Sequence, residues 1–372
     1  MSSKQTAVTD EAEEYFRDLA SKSLSLPFHP VVGRAVGGPT PEAVKAPYGP
    51  FQWPWKVVEP MVMKSAEIMK PGPEAHRRIV GLNNPLTPNH NPTHTINVAV
   101  QLVLPGEEAP SHHHTLTAIR FILRGQGITV VDGEPCTMAP GDLVLTPSWA
   151  WHGHANRTDE PVIWMDVLDG GLIRSLYASL YEDYPDGRAS MQPASKAQDE
   201  SMSRYGGGAL RPAWDRSSPR VSPLMRYPWE QTERALHQAA QVEGSPFDDV
   251  ALEFTNPLTG GHALPTLACG MQLLRPGMHT RSHRHSSSSV HQVFRGSGST
   301  VVDGVQINWE EGDIFSLPPW SWHEHVNGSS TEEAIIFSTS DLPVLEALNL
   351  YWEDPYPEDD GYQTVHGTLG EA

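Results

Sequence analysis

Residues 106–156 decide the fold, and they read GEEAPSHHHTLTAIRFILRGQGITVVDGEPCTMAPGDLVLTPSWAWHGHAN. His112 and His114 are two residues apart, so on a β-strand their side chains leave the same face. The short apolar runs between glycine turns predict several strands, and the Asp-Gly pair predicts a hairpin. If these strands close a barrel, His152 returns beside the first two histidines. Three imidazoles that converge in this way make a site for a transition metal.

The same pattern occurs a second time at a constant offset of 171 residues (283 − 112 = 171). The repeated positions are histidines, turn glycines, prolines and tryptophans, and no insertion interrupts them. The matched pairs include His112 and His283, His114 and His285, His152 and His323, His154 and His325, Trp149 and Trp320, and Asn156 and Asn327. Such self-similarity indicates an internal duplication of one folding unit.

Composition and charge narrow the class of protein. The 31 glycines and 34 prolines suit many short strands joined by turns. The formal net charge of −19 argues against nucleic acid and anionic membranes as partners, and a small anionic substrate would need local positive charge. No apolar run is long enough to span a bilayer. Cys136 and Cys269 lie in apolar runs and are expected to be reduced core residues, which points to the cytoplasm.

The order of patterns along the chain predicts an all-β protein with four parts. A helix is expected over 10–22, and a proline-rich, irregular arm over 26–60 should cover either another subunit or the end of a barrel. The acidic and then small, polar tail after Asp354 is expected to fray. The predicted parts are an N-terminal helix and arm (1–75), a first barrel (76–185), a linker with one helix (186–248) and a second barrel (249–372).

The spacing of the histidines, glycines and proline in the repeated stretch closely resembles the two motifs of the cupin superfamily. The residues that carry this resemblance are Gly106, His112, His114, Gly125, Gly141, Pro147, His152 and Asn156. The resemblance implies a bicupin, that is, two tandem double-stranded β-helix (jelly-roll) barrels. Two departures stand out: Ala118 replaces the usual glutamate after the second histidine, and Trp149 replaces the usual glycine after the proline.

A doubled cupin with three histidines, no glutamate and paired tryptophans resembles the gentisate 1,2-dioxygenase group. That group includes the salicylate, 5-nitrosalicylate and 1-hydroxy-2-naphthoate dioxygenases. The resemblance implies Fe(II) bound by His112, His114 and His152, and opening of an aromatic ring by O2. The bond broken lies between the carboxyl-bearing and hydroxyl-bearing carbons of a 2-hydroxybenzoate, either gentisate or another 5-substituted salicylate such as 5-nitrosalicylate. Members often form homotetramers.

Three side chains are candidates for catalytic roles beside the metal. Arg120 shares a strand face with the first two histidines, and its guanidinium suits a substrate carboxylate. His154 lies on the same face as His152 and can contact the substrate hydroxyl. Asp166 lies in the middle of a strand and is expected to orient Arg120 or His154.

Other candidates concern the substrate pocket. Ala99, where gentisate enzymes are expected to have glycine, and Gln101 should line it, although Gln272 repeats Gln101 and leaves a structural role open. Of the neighbours Arg77 and Arg78 only one can point inward, and we favour Arg78.

The second copy serves as an internal control. Aligned by the offset, His291 replaces Arg120 and Phe337 replaces Asp166. We therefore expect the first barrel to be catalytic and the second to be structural, with metal binding by the second triad left open.

Three alternatives remain at this stage. One is 1-hydroxy-2-naphthoate as substrate. Another is a non-oxygenase bicupin, such as a manganese or zinc isomerase or decarboxylase, against which the missing glutamate speaks. The third is a non-catalytic storage or ligand-sensing bicupin, against which the inward arginine speaks.

Overall fold

The computed structural model describes residues 10–24, 40–69, 77–185, 191–208 and 210–370. The described residues up to Lys45 form one compact unit and those from Ala46 onward form another. In the first unit, helix α1 (Asp10–Ser21) confirms the predicted N-terminal helix. The part of the predicted arm over 26–39 lies outside the described residues.

Two antiparallel sheets form the first barrel. The six-stranded sheet contains, in spatial order, β12 (Arg226–Tyr227), β8 (Leu143–Thr146), β5 (Ala118–Arg124), β10 (Val162–Leu168), β3 (Asn97–Val103) and β2 (Arg78–Gly81). The five-stranded sheet contains β11 (Tyr181–Asp183), β4 (Glu108–His114), β9 (His152–Ala155), β6 (Gly127–Val131) and β7 (Glu134–Met138). The predicted hairpin is present between β6 and β7, where Asp132 and Gly133 both have positive φ.

The second barrel repeats this topology. One sheet contains β1 (Phe51–Trp53), β19 (Ile314–Leu317), β16 (Ser289–Arg295), β21 (Ala334–Ser340), β14 (Ala268–Leu274) and β13 (Val250–Glu253). The other contains β22 (Glu353–Pro355), β15 (His283–His285), β20 (His323–Val326), β17 (Ser297–Val302), β18 (Val305–Glu310) and β23 (Gly367–Thr368). The order of equivalent strands is the same in both barrels, which confirms the predicted all-β bicupin.

The largest apolar core lies between the barrels. Side chains alternate between the two faces of the six-stranded sheet of the first barrel. On β5 of this sheet, Ile119 and Phe121 face the other barrel, while Arg120 faces the interior of its own. Phe121 stacks on Phe337 of the second barrel, with ring centroids 4.1 Å apart. Both faces of this sheet are therefore buried, and the barrel interior is a separate compartment.

The segment over 51–68 corrects the prediction of an irregular arm, which is wrong from residue 51 onward. Phe51–Trp53 forms strand β1 on the second barrel, and helix α2 (Trp55–Ile68) follows it. The backbone N–H of Trp55 donates to the Asp313 carboxylate (2.7 Å), and Val58 and Val62 are buried one helical turn apart. Tertiary contacts therefore stabilise a helix that has a proline in its interior.

The linker contains the equivalent of this segment. Strand β12 joins the first barrel, helix α5 (Trp229–Ala239) follows, and the Trp229 N–H donates to Asp142 (2.8 Å). A further short helix, α4 (Glu200–Tyr205), makes two helices where the sequence predicted one. The other short helices are α3 (Gly170–Ser175) and α6 (Leu342–Ala347), with 3-10 turns at Pro41–Ala43 and Asp359–Gly361.

The C-terminal tail does not fray as expected. Strand β22 pairs with β15, and β23 pairs with β18, so the tail completes the second barrel as far as residue 370. Cys136 and Cys269 are buried free thiols, as predicted. Among the helices in the described part of the chain, none is long and apolar enough to cross a membrane.

Candidate active site

The first barrel brings its three histidines together. His112 on β4 lies directly opposite His152 on β9, and His114 follows at the end of β4. The ring nitrogens that these residues offer as ligands all lie within 4.8 Å of one another. The Nδ1 of His114 donates to the Leu116 carbonyl (2.8 Å), and the Nδ1 of His152 donates to the Ala150 carbonyl (2.9 Å). Both Nε2 atoms are then unprotonated and free to bind a metal.

Electrostatics keep the three rings neutral. Burial lowers the pKa of His112 and His152 well below the ordinary value, and lowers the pKa of His114 to about 4. The positive charges of Arg77 and Arg120 lower these pKa values further. Neutral imidazole is the form that binds metals, so the donor set fits a divalent transition metal of borderline softness.

Arg120 lies in the barrel interior with Asp166, as predicted. These residues are directly opposite each other on β5 and β10, and the Arg120 Nε lies 3.3 Å from the Asp166 Oδ1. The pair is an ion pair without the alignment of a hydrogen bond. The guanidinium also donates to the Thr146 hydroxyl on β8. Burial raises the pKa of Asp166, against the opposing effect of the Arg120 charge.

The expectation that Arg78 points into the pocket is wrong, because Arg78 lies opposite Leu102, whose side chain faces the other barrel. The Arg78 guanidinium makes a bidentate ion pair with Glu107 and donates to the Met69 carbonyl. Arg77 instead faces the barrel interior and donates to the Pro110 carbonyl (2.7 Å). Burial and the neighbouring Arg120 charge lower the pKa of Arg77 to about 9.

Gln101 and His154 complete the interior with polar atoms that lack partners. Within the described residues, neither the amide of Gln101 nor either ring nitrogen of His154 has a hydrogen-bond partner. Both side chains are fully buried, and Ala99 lines the same face of the sheet opposite Asp166. Buried polar groups nearly always have partners, so these atoms are available to hydrogen-bond a polar ligand inside the barrel.

His113 points away from the metal-binding residues, because adjacent residues of a strand face opposite sides of the sheet. Its ring lies between Trp149 and Trp151, with centroid distances of 3.8 and 3.6 Å, and its Nε2 contacts Glu182 (2.7 Å). Trp149 has φ of +63°, the left-handed conformation that suits the glycine usual at this position. Arg284 is the equivalent of His113 in the second barrel, and its guanidinium carbon lies 4.4 Å from the ring centroid of Trp322.

Sequence reasoning missed Tyr181 at the mouth of the barrel. Its ring lies 5.0 Å from that of His112, and the side chain is 58% exposed. A signal was available, because Tyr184-Pro185 recurs as Tyr356-Pro357 at an offset of 172 residues (356 − 184 = 172). That repeat extends the duplication to the edge strand that carries Tyr181.

The second barrel brings its triad together as well, but its surroundings differ. The ligand nitrogens of His283, His285 and His323 also lie within 4.8 Å of one another. His291 replaces Arg120, contacts Ser289 (2.8 Å) and lies parallel to the ring of Phe315.

One residue of the internal alignment needs correction. Ser338, and not Phe337, is the equivalent of Asp166, because Ser338 pairs with His291 as Asp166 pairs with Arg120. The offset therefore becomes 172 residues after the loop that precedes β10 (338 − 166 = 172).

Known proteins share this sequence pattern and fold. The cupin domain family matches residues 99–168 and 270–340. The 5-aminosalicylate 1,2-dioxygenase of Comamonas sp. is 41% identical over 86% of this chain and 85% of its own length. The 1-hydroxy-2-naphthoate 1,2-dioxygenase of Nocardioides sp. (strain KP7) is 38% identical over 87% of this chain and 81% of its own length. A crystal structure of salicylate 1,2-dioxygenase from Pseudoaminobacter salicylatoxidans, in adducts with gentisate, superposes with a TM-score of 0.84 at 30% identity and covers 95% of this chain and 96% of that chain.

Proposed function

This chain belongs to the bicupin family of aromatic ring-cleaving 1,2-dioxygenases, and we propose that it is an Fe(II) enzyme acting on a 5-substituted 2-hydroxybenzoate. The substituent is an amino, hydroxyl or nitro group. The reaction breaks the bond between the carboxyl-bearing and the hydroxyl-bearing carbon and adds both atoms of O2. The first carbon becomes a ketone and the second a carboxylate, so the product is a 2-oxo acid.

One observation carries this proposal, namely that two buried guanidinium groups lie beside a neutral triad of imidazoles. Among the residues that the structure describes, Arg77 and Arg120 face one carboxylate, Asp166, so the pocket has an excess of positive charge. Buried charges in proteins are paired, and a substrate carboxylate supplies the missing partner. The chain as a whole is strongly acidic, with a net charge of −19, which makes this local positive charge the feature that selects an anion.

His112, His114 and His152 would hold ferrous iron, which would pass electron density from the aromatic acid to O2. Arg120 binds the substrate carboxylate and Asp166 fixes the direction of the guanidinium. The pKa of His154 is well below its ordinary value because of burial, so this ring is neutral at neutral pH. A neutral His154 has ring nitrogens available to hydrogen-bond the substrate hydroxyl.

The first barrel is proposed as the catalytic one, because the second has Asp249 and His291 in place of Arg77 and Arg120. Ala99 and Gln101 are proposed to contact the substrate ring. A hydroxynaphthoate is a second candidate substrate, supported by the relative that is 38% identical. Homotetramer formation and a cytoplasmic location stay predictions.

An oxygen-electrode screen of the Fe(II)-loaded protein tests this function. We expect O2 uptake with gentisate, 5-aminosalicylate or 5-nitrosalicylate, and a product that retains both atoms of 18O2. Catechol lacks the carboxylate and serves as the matched control. Catechol turnover as efficient as that of the acids would contradict the role of the arginines. Metal-dependent turnover without O2 uptake would favour an isomerase or decarboxylase instead.

A further inference from the structure

The triad of the second barrel has the dimensions of a metal site. The Nε2 atoms of His283 and His323 lie 2.9 Å apart. Two nitrogens bound at right angles to a metal, each at ~2.1 Å, are separated by about 3.0 Å. The Nδ1 of His323 donates to the Ser321 carbonyl (3.0 Å), and the Nδ1 of His285 contacts the Ser287 carbonyl (2.9 Å). The remaining nitrogens of both rings therefore point toward the centre of the triad.

The charge around this triad is opposite to that in the first barrel. Glu353 on β22 places its Oε1 3.4 Å from the Nδ1 of His283. Asp248 is a further negative charge close enough to act on His285. At the position of Glu353 the first barrel has Tyr181, which lies opposite His114 as Glu353 lies opposite His285. The protein itself thus supplies the anionic charge that a divalent cation needs, and no substrate carboxylate is required.

We propose that the second barrel holds its own divalent transition metal, bound by the Nε2 atoms of His283, His285 and His323. The carboxylate of Glu353, 3.4 Å from the Nδ1 of His283, favours the orientation of this ring that turns its Nε2 toward the metal, as carboxylates beside metal-binding histidines do. Three imidazoles suit iron, zinc, nickel or copper rather than calcium or magnesium.

The role of this metal is structural, because it ties the C-terminal tail to the barrel. Glu353 belongs to the tail, which crosses the barrel as β22 and then bonds to it again through Gln363. The Gln363 side chain donates to the Ser282 hydroxyl (2.9 Å) and the Val301 carbonyl (3.1 Å). A metal that fixes the ring of His283 thereby fixes the first of these attachments.

The metal content of full-length protein tests the proposal, and it does not depend on the proposed substrate. We expect two equivalents per chain, with His112→Ala and His283→Ala each removing one. His283→Ala should keep its ring-cleaving turnover, whereas His112→Ala should lose it. One equivalent per chain that disappears in His112→Ala alone would overturn the proposal.

Two further measurements separate a metal site from a merely structural histidine cluster. Titration of chelator-treated protein with Co2+ should show two binding events, and Glu353→Gln should weaken only one of them, about 10–100-fold. Limited proteolysis should cut the tail faster in chelated protein and in Glu353→Gln than in His112→Ala. Equal Co2+ affinities in the wild type and Glu353→Gln would contradict the role of the carboxylate. This variant also decides the matter if His283→Ala does not fold.

Discussion

Arg120 and Asp166 face each other across neighbouring strands inside the first barrel, with Nε and Oδ1 3.3 Å apart. A buried ion pair of this kind costs free energy on desolvation and is retained where it fixes a geometry. Here it fixes the guanidinium beside three neutral imidazoles. Its value to the protein therefore lies in the direction it gives to Arg120.

Replacement of Arg120 by lysine should lower kcat/KM about 10–100-fold. Lysine keeps the positive charge but loses the planar, bidentate donor group, and a charge-assisted hydrogen bond contributes about 1.5–3 kcal/mol. Steady-state O2 uptake measures the change. Arg124→Lys is the matched control, because Arg124 is on the same strand but pairs with Glu59 at the surface. If the two variants have equal kcat/KM, Arg120 does not contact the substrate.

Arg77 and Arg78 should separate substrate binding from stability. Arg78→Ala breaks the bidentate pair with Glu107, and we expect a loss of about 2–3 kcal/mol in the free energy of unfolding with KM unchanged. Arg77→Ala should raise KM for the aromatic acid and leave more of the stability intact. Urea unfolding and steady-state kinetics on both variants test this. The reverse pattern would show that Arg78, and not Arg77, binds the substrate.

Trp149→Gly should be more stable than Trp149→Ala by about 1 kcal/mol. Both variants lose the stacking on His113, but only glycine relieves the left-handed backbone conformation at this position. Thermal unfolding of the two variants gives the difference. Trp320, with φ of +65°, offers the same comparison in the second barrel. Alanine equal to glycine at both positions would show that the conformation carries no strain.

His262 should make stability depend on pH in the alkaline range. Hydrogen bonding to Glu253 and Glu346 raises its pKa to about 9 in the folded protein. The stabilisation is complete below the unfolded pKa of about 6.5 and is lost as pH rises through 9. Allowing for solvent screening, about 1–2 kcal/mol should disappear between pH 6 and pH 10. His262→Gln should lack this loss, and an equal loss in the variant would assign it to other groups.

The sequence predicted the triad because two independent regularities agreed on it. The spacing of His112 and His114 requires one strand face, and the second copy repeats the whole set. The same reasoning could not choose between Arg77 and Arg78, since that choice depends on the register of β2 against β3. A shift of one residue in register exchanges the two faces of a strand.

Two other differences have physical causes that a single sequence conceals. Asn156 contacts the Glu160 carbonyl, whereas Asn327 contacts the Glu332 carbonyl, so the loop before β21 is one residue longer. Because of this extra residue, a constant offset of 171 aligns Asp166 with Phe337 instead of with its structural equivalent, Ser338. Helix α2 was missed because its proline argues against a helix, and the contact that starts it comes from Asp313, far away in the chain.

The two strand–helix segments, β1–α2 and β12–α5, cross between the barrels in opposite directions. The segment β1–α2 comes just before the first barrel in the chain, but β1 joins a sheet of the second barrel. The segment β12–α5 comes just before the second barrel, but β12 joins a sheet of the first. Asp313 and Asp142 accept hydrogen bonds from the first residues of α2 and α5 in the same way. The two halves of the chain thus exchange their N-terminal arms in the way that the members of an arm-exchanged two-fold dimer do. Cutting the chain in the linker would therefore separate each half from an arm it depends on, and we expect the halves to recover structure only when they are expressed together.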